Sequence, residues 1–249
     1  MVCETYFQGD SVVHRLDPRG RVVVAVVFSV LVAVSERFGV LGGGLAAGLG
    51  LAVAARLPVR PLLKRLAALN AFMVMLIVLL PLTTFEEPGL DIFGISVSQP
   101  GLLLALAVTL KANAIVLALT ALVGTLEITT FGHALKHLRV PDKLIHLFLF
   151  TVRYIDLLHH EYRRLRQAMR VRCFRPQMSR HTYRAMGYLV GMLLVKSLDR
   201  SERVVAAMKC RGFRGQFYVL THFAFARRDA AFGVLAAAAL AVLGWMEWG

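Results

Sequence analysis

Five apolar runs, over residues 22–35, 40–57, 66–82, 101–125 and 230–248, leave this chain few ways to fold. An α-helix of about 20 apolar residues crosses the hydrocarbon of a bilayer. Lipid offers no partner to unpaired backbone groups, so spans of this kind must be helical. The runs predict an all-α membrane protein of about five transmembrane helices. Composition agrees: 57% of the 249 residues are apolar and the mean hydropathy is +0.64, against about 45–50% apolar in soluble domains. The first run is short and calls for snorkelling flanks or a thinned bilayer. The second carries Gly39/Gly43 and Gly44/Gly48 at four-residue spacing, which lets neighbouring helices approach closely. No Lys-Ser/Thr follows these glycines, so they are not a phosphate-binding loop.

Charge sets the expected topology. The net charge is +14, and the segment from Arg139 to Arg228 accounts for all of it, with 19 Lys and Arg against 5 Asp and Glu. Arg56, Arg60, Lys64 and Arg65 mark a second basic loop, whereas Thr83–Pro100 holds Glu86, Glu87 and Asp91 and no cation. Basic loops stay on the cytoplasmic side. The N-terminus and the basic segment are then inside and the C-terminus outside, with Trp245 and Trp248 suited to an interfacial belt. Three regions follow: a four-span bundle over 1–125, a cytoplasm-facing unit of long helices over 126–228, and a last span over 229–249. The polar first 21 residues do not read as a cleavable signal peptide. Cys3, Cys173 and Cys210 read as free thiols rather than a disulfide framework.

Within the basic unit, a short helix is expected over 131–139 and a long one opening at Pro141. Leu144, Phe148, Thr151, Ile155, Leu158, Tyr162, Leu165 and Met169 follow a 4-3-4-3 spacing and form one narrow apolar seam. A second long helix runs from about His181 to Arg211, with Gly212 as its stop. Both long helices end in the same phrase, Ala-Met-Arg-Val-Arg-Cys-Phe-Arg-Pro at 168–176 and Ala-Met-Lys-Cys-Arg-Gly-Phe-Arg-Gly at 207–215, with five identities. Each places an arginine, Arg172 or Arg211, at a helix C-terminus where the dipole favours a cation. An arginine fork pairs two-pronged with carboxylates. Two equivalent arginines, each followed two residues later by Phe174 or Phe213, point to two equivalent docking sites on a partner.

Other chemistry is sparse. The chain shows no nucleotide-binding loop, zinc quartet or hydrolase elbow. His133/His137, four apart, and the adjacent His159/His160 are weak metal candidates, and no metal site is expected. Lys111 and Asn113 fall inside the fourth run, where an ionisable group faces protein or water rather than lipid. They either contact a partner or hydrogen-bond internally to fix packing. A membrane-tethered binder of nucleic acid or anionic lipid is the rival reading of the charge. The basic residues decorate an ordered seam rather than a flexible tail, which argues against that rival, and no nucleic-acid partner is expected. A membrane-embedded enzyme would need acids, bases or ligands beyond Lys111.

Several segments resemble the transmembrane component of energy-coupling factor (ECF) transporters, most closely CbiQ, the cobalt-module version. They are His14-Arg-Leu-Asp-Pro-Arg19, Thr129-Thr130, Leu138-Arg-Val-Pro141, Arg153-Tyr-Ile-Asp156, Glu161 and the two arginine phrases. The resemblance implies a non-catalytic subunit of an ABC-type importer in the bacterial inner membrane. Two CbiO-like ATPases would bind ATP and Mg, leaving this chain without a cofactor. A CbiM-like membrane subunit, with a CbiN-like small subunit, would bind substrate, either cobalt or, within the same family, nickel, biotin or several substrates served in common. It also implies that Arg172 and Arg211 dock the ATPases, inside Ala-Arg-Gly motifs whose flanks here are Val171/Cys173 and Cys210/Gly212. Cys173 departs from the family glycine and leaves the backbone course after Arg172 in question.

Overall fold

The computed structural model describes residues 11, 13–83, 90–92, 95–97, 99–138, 140–213 and 227–248. The chain divides into two units, Met1–Leu138 with Phe223–Gly249, and Arg139–His222.

The first unit holds α1 (Pro18–Val34), α2 (Phe38–Ala54), α3 (Val59–Thr83), α4 (Gln99–Leu122), α5 (Ile128–His137) and α8 (Arg227–Trp248). A short hairpin, β1 (Leu90–Ile92) with β2 (Ile95–Val97), lies between α3 and α4, its strands antiparallel with Leu90 opposite Val97. Glu86 and Glu87 of the expected outer loop lie outside the described residues. The sequence groups 126–138 with the long basic helices, whereas α5 packs on α1 within the first unit.

Among the described residues three helices are long and apolar enough to cross a membrane, at Val59–Leu79, Pro100–Leu122 and Asp229–Trp248. The other two expected spans, α1 and α2, are 17 residues each, or roughly 25 Å at about 1.5 Å per residue. Local chemistry explains both lengths. Asp17 caps the start of α1, accepting from the Arg19 N–H at 2.9 Å, and Pro18 takes the first helical position. Extended backbone at Ser35 ends the helix. The end of α2 is a left-handed cap at Arg56 (φ 47°), with the Leu57 N–H returning to the Ala52 carbonyl.

The glycine pairs do what their spacing predicts. A Cβ on Gly39 or Gly43 would meet Met246 or Leu243 of α8, at 3.6 and 3.0 Å. One on Gly44 would meet Val32 of α1, and one on Gly48 would come within 3.1 Å of the Ala114 carbonyl of α4. The helix α2 therefore lies backbone-close to three neighbours, and the buried core gathers around it from Phe28, Val32, Val40, Leu41, Ala114, Ala118 and Leu243.

Polar contacts at the ends of the bundle fix helix directions. The Asp17 N–H donates to Asp229 at 2.8 Å, and the buried Arg21 guanidinium donates to the Thr125 hydroxyl. At the other end, the Glu36 N–H donates to Glu247 (2.9 Å) and Arg37 to the Met246 carbonyl (2.9 Å). Helices α1 and α8 thus run parallel, and α4 runs against both.

The second unit consists of α6 (Asp142–Val171) and α7 (Arg180–Cys210). Pro141 precedes the first turn of α6, and the Ser179 hydroxyl caps α7 by accepting from the Thr182 N–H at 3.3 Å.

Candidate functional site: two capped arginines

Both long helices end in one hydrogen-bond pattern. At α6, Arg172 is the cap (φ −84°), Cys173 turns left-handed (φ 58°) and Phe174 returns its N–H to the Met169 carbonyl at 3.1 Å. Cys173 donates to Arg170 at 3.0 Å. At α7, Arg211 is the cap (φ −89°), Gly212 turns left-handed (φ 78°), Phe213 donates to Met208 at 3.0 Å and Gly212 to Lys209 at 3.0 Å. These are two Schellman motifs, in which the second residue beyond the cap bonds the third-last helical carbonyl and packs its side chain on that turn. Three of the five identities in the repeated phrase now have a structural role: Met at the receiving turn, Arg at the cap, Phe at the return. The backbone course questioned at Cys173 is the same as at Gly212. Only its cost differs, because a Cβ disfavours the left-handed region.

That difference is measurable. Cys173→Gly is expected to stabilise the chain by about 1 kcal/mol by relieving the left-handed Cβ clash. Gly212→Ala is expected to cost about the same, since alanine fits poorly at positive φ. Thermal unfolding of the detergent-solubilised chain should move up for the first and down for the second.

Arg172 and Arg211 are exposed, and neither has an ion-pair partner among the described residues. Val171 at 84% exposure, Cys173, Cys210 and Gly212 are exposed beside them, while Phe174 and Phe213 are half-buried. The Phe174 ring lies 6.3 Å from that of His181, holding the α6 end against the start of α7. Midway along both helices, Lys196 Nζ pairs with Glu161 at 3.1 Å, and Arg200 approaches the same carboxylate at 3.8 Å. From this crossing Arg172 lies roughly 16 Å along α6 and Arg211 roughly 22 Å along α7, at about 1.5 Å per residue. Between the Phe174–His181 contact and this crossing α7 folds back along α6, so Arg172 and Arg211 lie on opposite arms of the pair.

The expected seam is only partly covered. Tyr162, Leu165 and Met169 are half-buried, but Leu144, Thr151, Ile155 and Leu158 are exposed. Phe148 in its N-terminal half is half-buried too, so the seam alternates between covered and exposed positions along α6.

In the bundle, Lys111 and Asn113 have internal partners. Lys111 Nζ donates to the Ala33 carbonyl at 3.0 Å, one of the last-turn carbonyls that α1 leaves unpaired. A cation at a helix C-terminus is favoured by the dipole, so the mid-span charge and the short α1 satisfy one another. Asn113 donates to Asn70 of α3 and to the Thr109 carbonyl, both at 2.8 Å. Among the described residues no group of three or more His, Cys, Asp or Glu could hold a metal ion.

A family model for CbiQ, described as cobalt transport protein, matches residues 9–222. The chain belongs to this family. Over 98% of its length it is 24% identical to the energy-coupling factor transporter transmembrane protein EcfT of Acidaminococcus fermentans, covering 96% of that protein. It is 27% identical to EcfT of Bacillus subtilis over 86% of the chain and 85% of the relative. The cobalt transport protein CbiQ of Rhodobacter capsulatus matches at 28% over 51% of the chain and 52% of that protein. This CbiQ/EcfT-family chain is therefore an energy-coupling transmembrane component of an ECF transporter, placed in the bacterial plasma membrane.

Lys196 and Asn70 did not stand out in the sequence. Asn70 interrupts an apolar run and could have been found that way, whereas Lys196 gains its role only from Glu161, 35 residues earlier. The hydrogen bond from Lys196 holds the Glu161 carboxyl below its ordinary range, helped by the charges of Lys196, Arg164 and Arg200. A depressed carboxylate contributes stability that is full above its unfolded pKa, about 4.3, and is lost as pH falls through the folded value. In this CbiQ-family protein, Glu161→Gln is expected to flatten the acid limb of the thermal stability profile below about pH 4.3. An unchanged acid limb would remove Glu161 as the clamp.

Proposed function

We propose that this chain couples a pair of ATPase subunits to a substrate-binding membrane subunit, with cobalt ions as the cargo. One observation carries the reading most: two matching helix caps hold exposed arginines, without ion-pair partners among the described residues, on opposite arms of one helix pair. An acidic groove on each ATPase would receive one guanidinium as a two-pronged ion pair. ATP and Mg belong to those partners, and this chain performs no chemistry. As the ATPases open and close, the grooves carry Arg172 and Arg211 with them. The helices α6 and α7, joined through Glu161 and Lys196, pass the displacement towards the membrane bundle. The second unit and the N-terminus face the cytosol and the C-terminus faces out, following the concentration of basic residues.

Cobalt is favoured by the description of the family model and by the Rhodobacter relative. Affinity purification from native membranes, with intact mass measurement, is expected to recover two ATPase copies and one substrate-binding membrane subunit per chain. Cells carrying that set should accumulate labelled cobalt in preference to labelled nickel or biotin. Preferential accumulation of either of those would reassign the cargo and leave the coupling role standing.

A further inference from the structure

Besides the caps, the second unit contains a cleft of about 460 Å³ between α6 and α7, within the size range of ligand sites. One wall is apolar, from Phe150, Tyr154, Leu158 and Leu193, and the Phe150 and Tyr154 rings stack at 6.1 Å. The other edge carries Lys196, Arg200 and Arg203 against a single carboxylate, Glu161. That carboxylate is committed to Lys196 at 3.1 Å and meets Arg200 only at 3.8 Å. Arg203 uses Nε on the Asp199 carbonyl, and the rest of its fork has no partner among the described residues. Two guanidinium groups with donors to spare thus edge an apolar slot.

We propose that this cleft binds one anionic phospholipid, an acyl chain lying along the aromatic wall and the phosphate held by Arg200 and Arg203. Charge complementarity selects this occupant. The cleft lining carries three cations to one anion, arginine forks match phosphate oxygens two-pronged, and basic pockets in membrane proteins take anionic headgroups. A zwitterionic lipid has the same acyl chains but brings its own cation to the basic edge. The site is independent of ATPase docking, since Arg172 and Arg211 lie on the far arms of the helices.

The full chain, purified in a non-ionic detergent, is titrated with phosphatidylglycerol or phosphatidylcholine and read by native mass spectrometry. Phosphatidylglycerol is expected to form a one-to-one adduct with a preference of roughly 25-fold, about fivefold for each of two basic side chains. Arg200→Ala with Arg203→Ala should abolish the preference, while Arg163→Ala with Arg166→Ala, an equal loss of charge on exposed positions of α6, should keep it. Equal binding of the two lipids, equal loss in both double variants, or a preference that survives the cleft variant overturns the proposal. So does finding the cleft filled by a co-purified protein subunit with no lipid retained. If the cleft variant does not fold, hydrogen exchange on the unsubstituted chain decides. Phosphatidylglycerol must protect residues 147–161 and 193–203, and protection elsewhere or nowhere contradicts the site.

Discussion

Replacing Arg172 and Arg211 together by alanine is expected to strip the ATPase subunits from the complex and abolish uptake, while the chain remains folded in the membrane. Each arginine is exposed at a helix cap and the Schellman bonds use only its backbone, so the side chain can be removed without unwinding the helix. Truncating one member of a desolvated, hydrogen-bonded charge pair costs about 2–5 kcal/mol, because the partner carboxylate is left buried and alone. Two such losses correspond to a drop in ATPase association of at least roughly 1,000-fold, beyond detection in a purified complex. Single substitutions should give partial loss, each from one arm. Lysine should restore little, since a point charge does not reproduce the planar fork. Uptake that survives the double alanine change would end the docking assignment.

The second large effect lies in the bundle. Gly48→Leu is expected to abolish the folded chain. Even a single Cβ at Gly48 would lie 3.1 Å from the Ala114 carbonyl and 3.3 Å from the Leu117 Cβ, so the added atoms press on α4 backbone that cannot swing aside. Overpacking a tight contact by a methylene or so costs about 1–3 kcal/mol, and leucine adds four carbons. Gly50, two residues along the same helix, has nothing within 4 Å of its would-be Cβ. Gly50→Leu should therefore give the same sharp peak as the unsubstituted chain in size-exclusion of membrane extracts, and Gly48→Leu should give only aggregate. A normal peak for Gly48→Leu would refute the close α2–α4 approach.

Both features are legible in the amino-acid sequence. The glycine spacing was informative because backbone proximity depends on missing side chains, which a sequence displays directly. The repeated phrase was informative for a related reason: a Schellman cap needs its residues at fixed offsets, so two caps of the same build leave the same letters. Cys173 weakened that signal, since a left-handed non-glycine is uncommon. The cap persists there because Phe174 and Met169 still complete its bond and packing.

The partners of Lys111 and Glu161 were harder. Lys111 is satisfied only because α1 stops at Val34 and leaves the Ala33 carbonyl at its reach, a coincidence of helix lengths across 78 residues of chain. The 4-3-4-3 spacing on α6 correctly marks an apolar stripe but not what covers it. In this chain α7 covers part and leaves Ile155 and Leu158 exposed. The five apolar runs form five helices. The shortness of α1 is legible in its run, which stops at Ser35, whereas α2 ends three residues before its run does, at the left-handed Arg56 that hydropathy does not see.

The two native cysteines beside the arginines allow the most direct test. Cys173 and Cys210 are both exposed, and with Cys3 replaced by serine they are the chain's remaining thiols. Membrane-impermeant maleimide should label both in inside-out vesicles stripped of peripheral ATPase, and label neither once the ATPase is added back. Labelling only from the outer side of intact cells, or labelling that ATPase leaves unchanged at both positions, would contradict two arginine caps gripping two ATPases.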